Sequence, residues 1–196
     1  RSTLFPYTTL FRSATLQLSS YPWNFDIVPC FYTAQQFYLI PDGQGNWKNT
    51  DPRIDRNRVT ICDQRHSGLL TPLIRFMKYW KELKWGDAVS SYMFEQMVLD
   101  STESDPMPLG INWKTRVERV LHYLTDAIKA PVIDPKGIQG DLNDLDTETN
   151  KHLSEIANIS WIASYTSFKK EREGDINDAI RLWRSVFGDK FPEYGA

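Results

Sequence analysis

The sequence has little of what marks the simpler protein classes. Its two cysteines, Cys30 and Cys62, form no CxxC pair and no Cys/His cluster, which excludes a disulfide framework and a thiolate zinc site. Two free thiols fit a reducing cytoplasm. No apolar run approaches the roughly 18 residues a membrane-spanning helix needs. Charge of one sign is not in excess. The 23 basic and 25 acidic residues leave a formal charge of −2 with no polybasic arm, which disfavours wrapping of nucleic acid through bulk charge. The first residues form no secretory signal, because Pro6, Tyr7 and two threonines interrupt the apolar core such a signal requires. Internal repeats and low-complexity segments are absent too.

What the chain has in quantity is aromatic: seven Trp, nine Tyr and ten Phe in 196 residues. At helical spacing these read first as core. That length suffices for one full core or two small ones. Residues 1–13, RSTLFPYTTLFRS, show no clean periodicity and read as the translation of a sequencing-adapter remnant, so fold reasoning starts at Ala14.

From Ala14 the pattern is that of strands. Leu16 and Leu18 alternate with Gln17 and Ser19. In Asn24–Phe31, Phe25 and Ile27 point one way and Asn24, Asp26 and Val28 the other. Residues 33–35 can reverse the chain into a return strand over 37–40, and PDGQGN supplies a turn before Trp47. From Ser67 the spacing predicts helices. Thr71-Pro72 reads as an N-cap and first helical residue, with Leu73, Phe76, Met77 and Trp80 forming a face. A second helix follows Trp85-Gly86-Asp87. Trp113, Val117, Val120, Leu121, Leu124 and Ile128 make the clearest apolar stripe. PVIDPKGIQGDLNDLD reads as an ordered loop whose acids make turns and cap a helix, since it lacks the ligand spacing of a calcium-binding EF-hand loop. A long helix carrying Leu153, Ile156, Ala157 and Ile162 stops near Gly174, and Asp175 caps the next. The expectation is α+β: a sheet fragment over 14–65 and a helical part over 66–196 with about five helices.

Three residues invite chemistry. Asp26 is a lone acid in the apolar run YPWNFDIVPCF, where burial costs several kcal/mol unless the acid is paired or metal-bound; a sheet-rim acid binding a backbone turn is the plainer reading. Lys78 on one helix and Ser91 at the start of the next can contact one phosphate chain, the lysine with mobile charge and the serine with its hydroxyl and helix N-terminus. A surface contact of Lys78 with Glu82 and a capping role for Ser91 are the plainer readings there. Tyr79 and Trp80 read as packing, Trp47 and Arg53 as turn residues or a cleft border, and His66, His122 and His152 as outside any metal cluster.

The ordered set YPWNFDIVPCF, YLIPDGQGNWKNTDPR, LIRFMKYW, SYMFEQ, VIDPKG and WRSVFGDKFP resembles the bacterial cGAS/DncV-like nucleotidyltransferases, relatives of cyclic GMP-AMP synthase and oligoadenylate synthase, over residues 14 to 193. The resemblance implies the C-terminal part of a nucleotidyltransferase mixed β-sheet joined to an oligoadenylate-synthase-like helical domain. It implies nucleoside triphosphates as substrates, Mg2+ (or Mn2+) as cofactor and a cyclic dinucleotide or related oligonucleotide as an antiphage second messenger. It matches Asp26 to the third metal-binding catalytic acid, and Lys78 and Ser91 to residues that bind nucleotide phosphates. The family's earlier Gly-Ser and Asp-x-Asp do not precede Asp26 here. The chain is therefore expected to be N-terminally truncated and inactive alone. The expected partners are nucleotides and an activating protein, with no membrane and no obligatory nucleic acid. A polymerase-like enzyme extending RNA ends, or a non-catalytic helical interaction module, are the alternatives.

Overall fold

The computed structural model describes residues 13–20, 24–104 and 111–193. The adapter reading of residues 1–13 falls almost wholly outside them, as does the YPW of the Asp26 motif. The chain divides into two compact units, Arg1–Asp55 and Arg56–Ala196.

The first unit carries two small antiparallel sheets. Strands β1 (Ala14–Gln17) and β2 (Asn24–Ile27) pair with Thr15 opposite Asp26. Strands β3 (Phe31–Tyr32), β4 (Tyr38–Pro41) and β5 (Trp47–Thr50) form a meander in that order. The predicted reversal and the PDGQGN turn are both present. Thr33 and Phe37 close the first with a 2.9 Å backbone bond. Asp42 closes the second by accepting the N–H groups of Gln44 and Asn46, the Asx geometry that makes such residues turn formers. Arg53 knits the meander together. It pairs with Asp51 at 2.8 Å, reaches the Gln36 carbonyl, and lies 5.5 Å from the ring centroids of Tyr32 and Tyr38.

Helices follow: α1 (Pro52–Arg65), α2 (Leu70–Lys84), a 3-10 turn (Gly86–Ala88), α3 (Ser91–Ser104), α4 (Trp113–Ala127), α5 (Thr147–Arg172) and α6 (Ile176–Phe187). Helix α1 begins well before the predicted onset at Ser67. Its sequence, PRIDRNRVTICDQR, buries only Cys62, so it shows no apolar stripe to read. Pro52 at its first position is the local signal for it. Polar contacts hold it in place instead: Arg58 reaches Gln96, Asp100 and Glu103 on α3, and the Cys62 thiol donates to Glu103 at 3.1 Å.

The start of α2 also differs from expectation. It begins at Leu70, and Asp63 of α1 accepts the Thr71 N–H at 2.8 Å, so a neighbouring helix supplies the cap. Elsewhere local signals hold. Asn112, Asp146 and Asp175 each accept an N–H three residues on and cap α4, α5 and α6. The predicted stripe of α4 is buried from Val117 to Ile128. The core is centred on Trp80, which is fully buried beside Trp85 (5.0 Å between centroids) and Phe94 (6.3 Å).

Candidate phosphate-binding turn

Asp26 is exposed on β2 and accepts a 2.7 Å hydrogen bond from the Thr15 hydroxyl across the strand pair. This corrects the expectation of a buried acid. Phe25 and Ile27 are themselves about half exposed, at 47% and 55%, on a sheet that has two strands among the described residues. Exposure to solvent keeps this carboxylate from being costly here. Among the described residues no group of three His, Cys, Asp or Glu could hold a metal ion. One exposed carboxylate supplies one hard oxygen ligand, and hard divalent cations bind several. The described residues therefore do not by themselves fit Mg2+.

The helical unit carries the other two residues on α2 and α3, which pack together. Lys78, midway along α2, forms an ion pair with Glu95 on α3, rather than with Glu82 on its own helix. Glu95 stands four residues after Ser91, and residues so spaced share one side of a helix. Lys78 is thus directed at the face that carries Ser91. Ser91 is the exposed first residue of α3. It is not the cap: Ser90 accepts the Met93 N–H at 3.1 Å, which leaves the Ser91 hydroxyl outside the capping bond. A half-exposed lysine, an uncommitted hydroxyl and the positive end of a helix dipole make a chemistry suited to anions.

The same turn is tied inward by groups that spacing did not single out. Tyr92 donates to Asp134 at 2.9 Å and accepts from Lys136. Asp134 and Lys136, from the loop between α4 and α5, pair at 3.0 Å with side chains 0% and 2% exposed. Asp134 also accepts the N–H groups of Lys136, Ile138 and Gln139, as the turn-making reading of this loop anticipated. The loop bends through Gly137 and Gly140, both at positive φ (64° and 68°), where a side chain would be strained. Burial alone would raise the Asp134 pKa. The Gln139 N–H, the Lys136 ammonium and the Tyr92 hydroxyl outweigh it and bring the value down to about 2 from the usual 3.8.

A pH dependence follows. A carboxylate whose folded pKa lies below its unfolded value stabilises the fold above the unfolded pKa, and that contribution is lost as pH falls through the folded value. Between about pH 4 and pH 2 the wild type should lose about 2 kcal/mol more stability than Asp134→Asn, read from urea unfolding at each pH. Equal losses in the two proteins would refute it.

Other candidates resolve into structure. Trp80 and Arg53 have the packing and turn roles described above. His66 is 7% exposed, and burial followed by the charge of Arg116 lowers its pKa. Burial and Glu103 push the Cys62 thiol up to about 11, far from nucleophilic. A groove of about 420 Å³ lined by Ser101, Arg119, His122, Tyr123 and Asp126 contains none of the three predicted residues.

No family model matches the chain. Individual relatives do. A probable cyclic nucleotide synthase of Bacillus cereus (strain VD146) is 41% identical over 188 residues, 93% of this chain and 56% of that protein. The chain belongs to the bacterial cGAS/DncV-like nucleotidyltransferases. The cyclic AMP-AMP-AMP synthase of Acinetobacter sp. (strain ATCC 27244 / 9458) is 22% identical over 192 residues, 92% of this chain and 54% of that one. The chain spans about half the length of these curated relatives. Solved structures agree in fold. The E. coli MS115-1 CdnC:HORMA-deltaN complex matches with a TM-score of 0.75 at 15% identity, covering 96% of this chain and 67% of that one. GTP-bound Vibrio cholerae DncV matches with a TM-score of 0.71 at 14% identity, covering 87% and 47%. At such identities these two speak for the fold alone. The family's α+β architecture and the chain's own thus coincide.

Proposed function

We propose that the protein to which this chain belongs joins nucleoside triphosphates into a cyclic dinucleotide or related oligonucleotide, a second messenger in antiphage defence. The observation that carries this is the 41% identity to a probable cyclic nucleotide synthase over nearly the whole chain. In the reaction a ribose hydroxyl attacks the α-phosphate of a triphosphate and gives up its proton to solvent, a new P–O bond forms, the α–β phosphoanhydride bond breaks, and pyrophosphate leaves with the electron pair of that bond. In this reading Lys78 and Ser91 bind the donor phosphates and Asp26 is the catalytic acid of the family's strand. The resemblance implies Mg2+, with Mn2+ as its substitute; Asp26 would give such an ion one oxygen ligand. The 196 residues alone are proposed to be inactive, since a single carboxylate cannot complete that centre.

The CdnC:HORMA-deltaN complex of a structural neighbour supports an activating protein partner. The free thiols of Cys30 and Cys62 support a cytoplasmic setting, and no described helix is long and apolar enough to cross a membrane.

The test is product analysis of the open reading frame that contains this sequence, incubated with the four nucleoside triphosphates and Mg2+. The expected result is a phosphatase-resistant cyclic product, with formation lowered about 100-fold or more in Asp26→Asn. Linear, RNA-dependent extension would point to a polymerase-like enzyme. No product under any condition would leave a helical interaction module.

A further inference from the structure

The first turn of α3 carries two side chains with opposite assignments. Successive helix residues point about 100° apart, so a turn that directs Tyr92 inward directs Ser91 elsewhere. Tyr92 is part-buried and bonded to Asp134 and Lys136, whereas Ser91 is exposed. The loop groups that meet Tyr92 lie 42 and 44 positions away in sequence. A buried ion pair seldom stabilises a fold better than apolar side chains of the same size would. Here both charges converge on one hydroxyl, with the Lys136 ammonium also 4.0 Å from the Tyr92 ring centroid. What the arrangement achieves is to fix one turn at a defined rotation and height.

We infer that Tyr92, Asp134 and Lys136 are positioning residues for nucleotide phosphates. They act through the backbone of the first turn of α3, holding the Ser91 hydroxyl and the helix N-terminus one turn before Glu95, the residue Lys78 reaches from α2. The inference rests on the phosphate-binding reading of Lys78 and Ser91. The ligand class is the triphosphate of a nucleotide, and none of the three residues need touch it. Lys78 and Glu95 provide one wall of the turn and the Asp134 loop provides its back. Losing the Tyr92 hydroxyl frees the turn to rotate while the ring keeps its packing.

The experiment is titration of ATP, in the presence of Mg2+, into the product of the open reading frame that contains this sequence, as wild type, Lys78→Ala and Tyr92→Phe, well below their melting midpoints and with a thermal melt of each. Phenylalanine retains the ring over Lys136, so folding is preserved, and the melt verifies it. The expected result is binding weakened about tenfold by Lys78→Ala and about threefold by Tyr92→Phe, with the Tyr92→Phe midpoint close to that of wild type. A purely structural tyrosine would leave ATP affinity unmoved at these temperatures. Weakening in Lys78→Ala with wild-type affinity in Tyr92→Phe overturns the positioning role and leaves the phosphate reading standing. Absence of ATP binding by the wild type, or full affinity in Lys78→Ala, overturns the phosphate reading and the positioning role with it. As a second variant, Ser91→Ala separates the hydroxyl from the turn: combined with Tyr92→Phe it should weaken binding by less than the product of the two single effects, and full multiplication would overturn the coupling.

Discussion

Lys136→Met is expected to destabilise the helical unit by about 3–5 kcal/mol, the range for breaking a buried ion pair by removing one partner. Both side chains of the pair are out of solvent, at 2% and 0% exposure. Methionine fills much of the lysine's volume, so lost packing is a minor part of the effect. The main cost is electrostatic. Asp134 keeps its bonds to Tyr92 and to loop N–H groups, but its charge is left without a counter-ion where water cannot replace one. Part of the cost is relieved by proton uptake, so the Asp134 carboxyl should titrate upward in the variant. The double variant Asp134→Asn/Lys136→Met removes both charges and should recover more than half of the loss. Urea unfolding followed by circular dichroism measures both. A loss below about 1 kcal/mol for Lys136→Met would show that the pair is effectively solvated.

Trp80→Ala is expected to cost about 3–5 kcal/mol, the range for deleting a large aromatic side chain from a core. Trp80 is 0% exposed, packs against Trp85 and Phe94, and donates its indole N–H to the Ser160 hydroxyl at 3.2 Å. Three large rings that brace one another cannot collapse into the vacated volume, so most of the cavity remains. Ser160 still bonds the Ile156 carbonyl at 3.0 Å, which keeps the polar share of the loss small. Trp80→Phe should accordingly cost only about 1–2 kcal/mol. The same unfolding measurement distinguishes them. Equal losses in the two variants would mean that the indole hydrogen bond, not the filled volume, carries the contribution.

Several elements could be read directly from the chain, for one physical reason. The α4 stripe, the turn at PDGQGN, the Asp175 cap and the stop near Gly174 depend on residues within one or two turns of each other. Helical and strand periods place such residues in contact whatever the rest of the fold does. Helix α1 escaped because its burial is a single cysteine and its attachment is ionic, through Arg58 to acids on α3. The cap of α2 escaped because Asp63 supplies it from another helix. Asp26 stood out as an acid among apolar residues, yet apolar neighbours in sequence do not guarantee burial, and its strand leaves them half exposed.

The sequence by itself determined that this is an α+β chain with capped, amphipathic helices, and its ordered motifs placed it in its family. It also pointed to Asp26, Lys78 and Ser91. Only the tertiary structure decided what these residues meet. It paired Lys78 with Glu95 of α3 instead of Glu82, made Ser90 rather than Ser91 the cap, and set Asp134 and Lys136 behind Tyr92. The pairings of Lys78 with Glu95 and of Tyr92 with Asp134 and Lys136 join positions 17 to 44 residues apart. Local periodicity cannot specify them, because which helices lie side by side is settled by burial of their apolar faces together, and a polar group finds its partner only once that packing is in place.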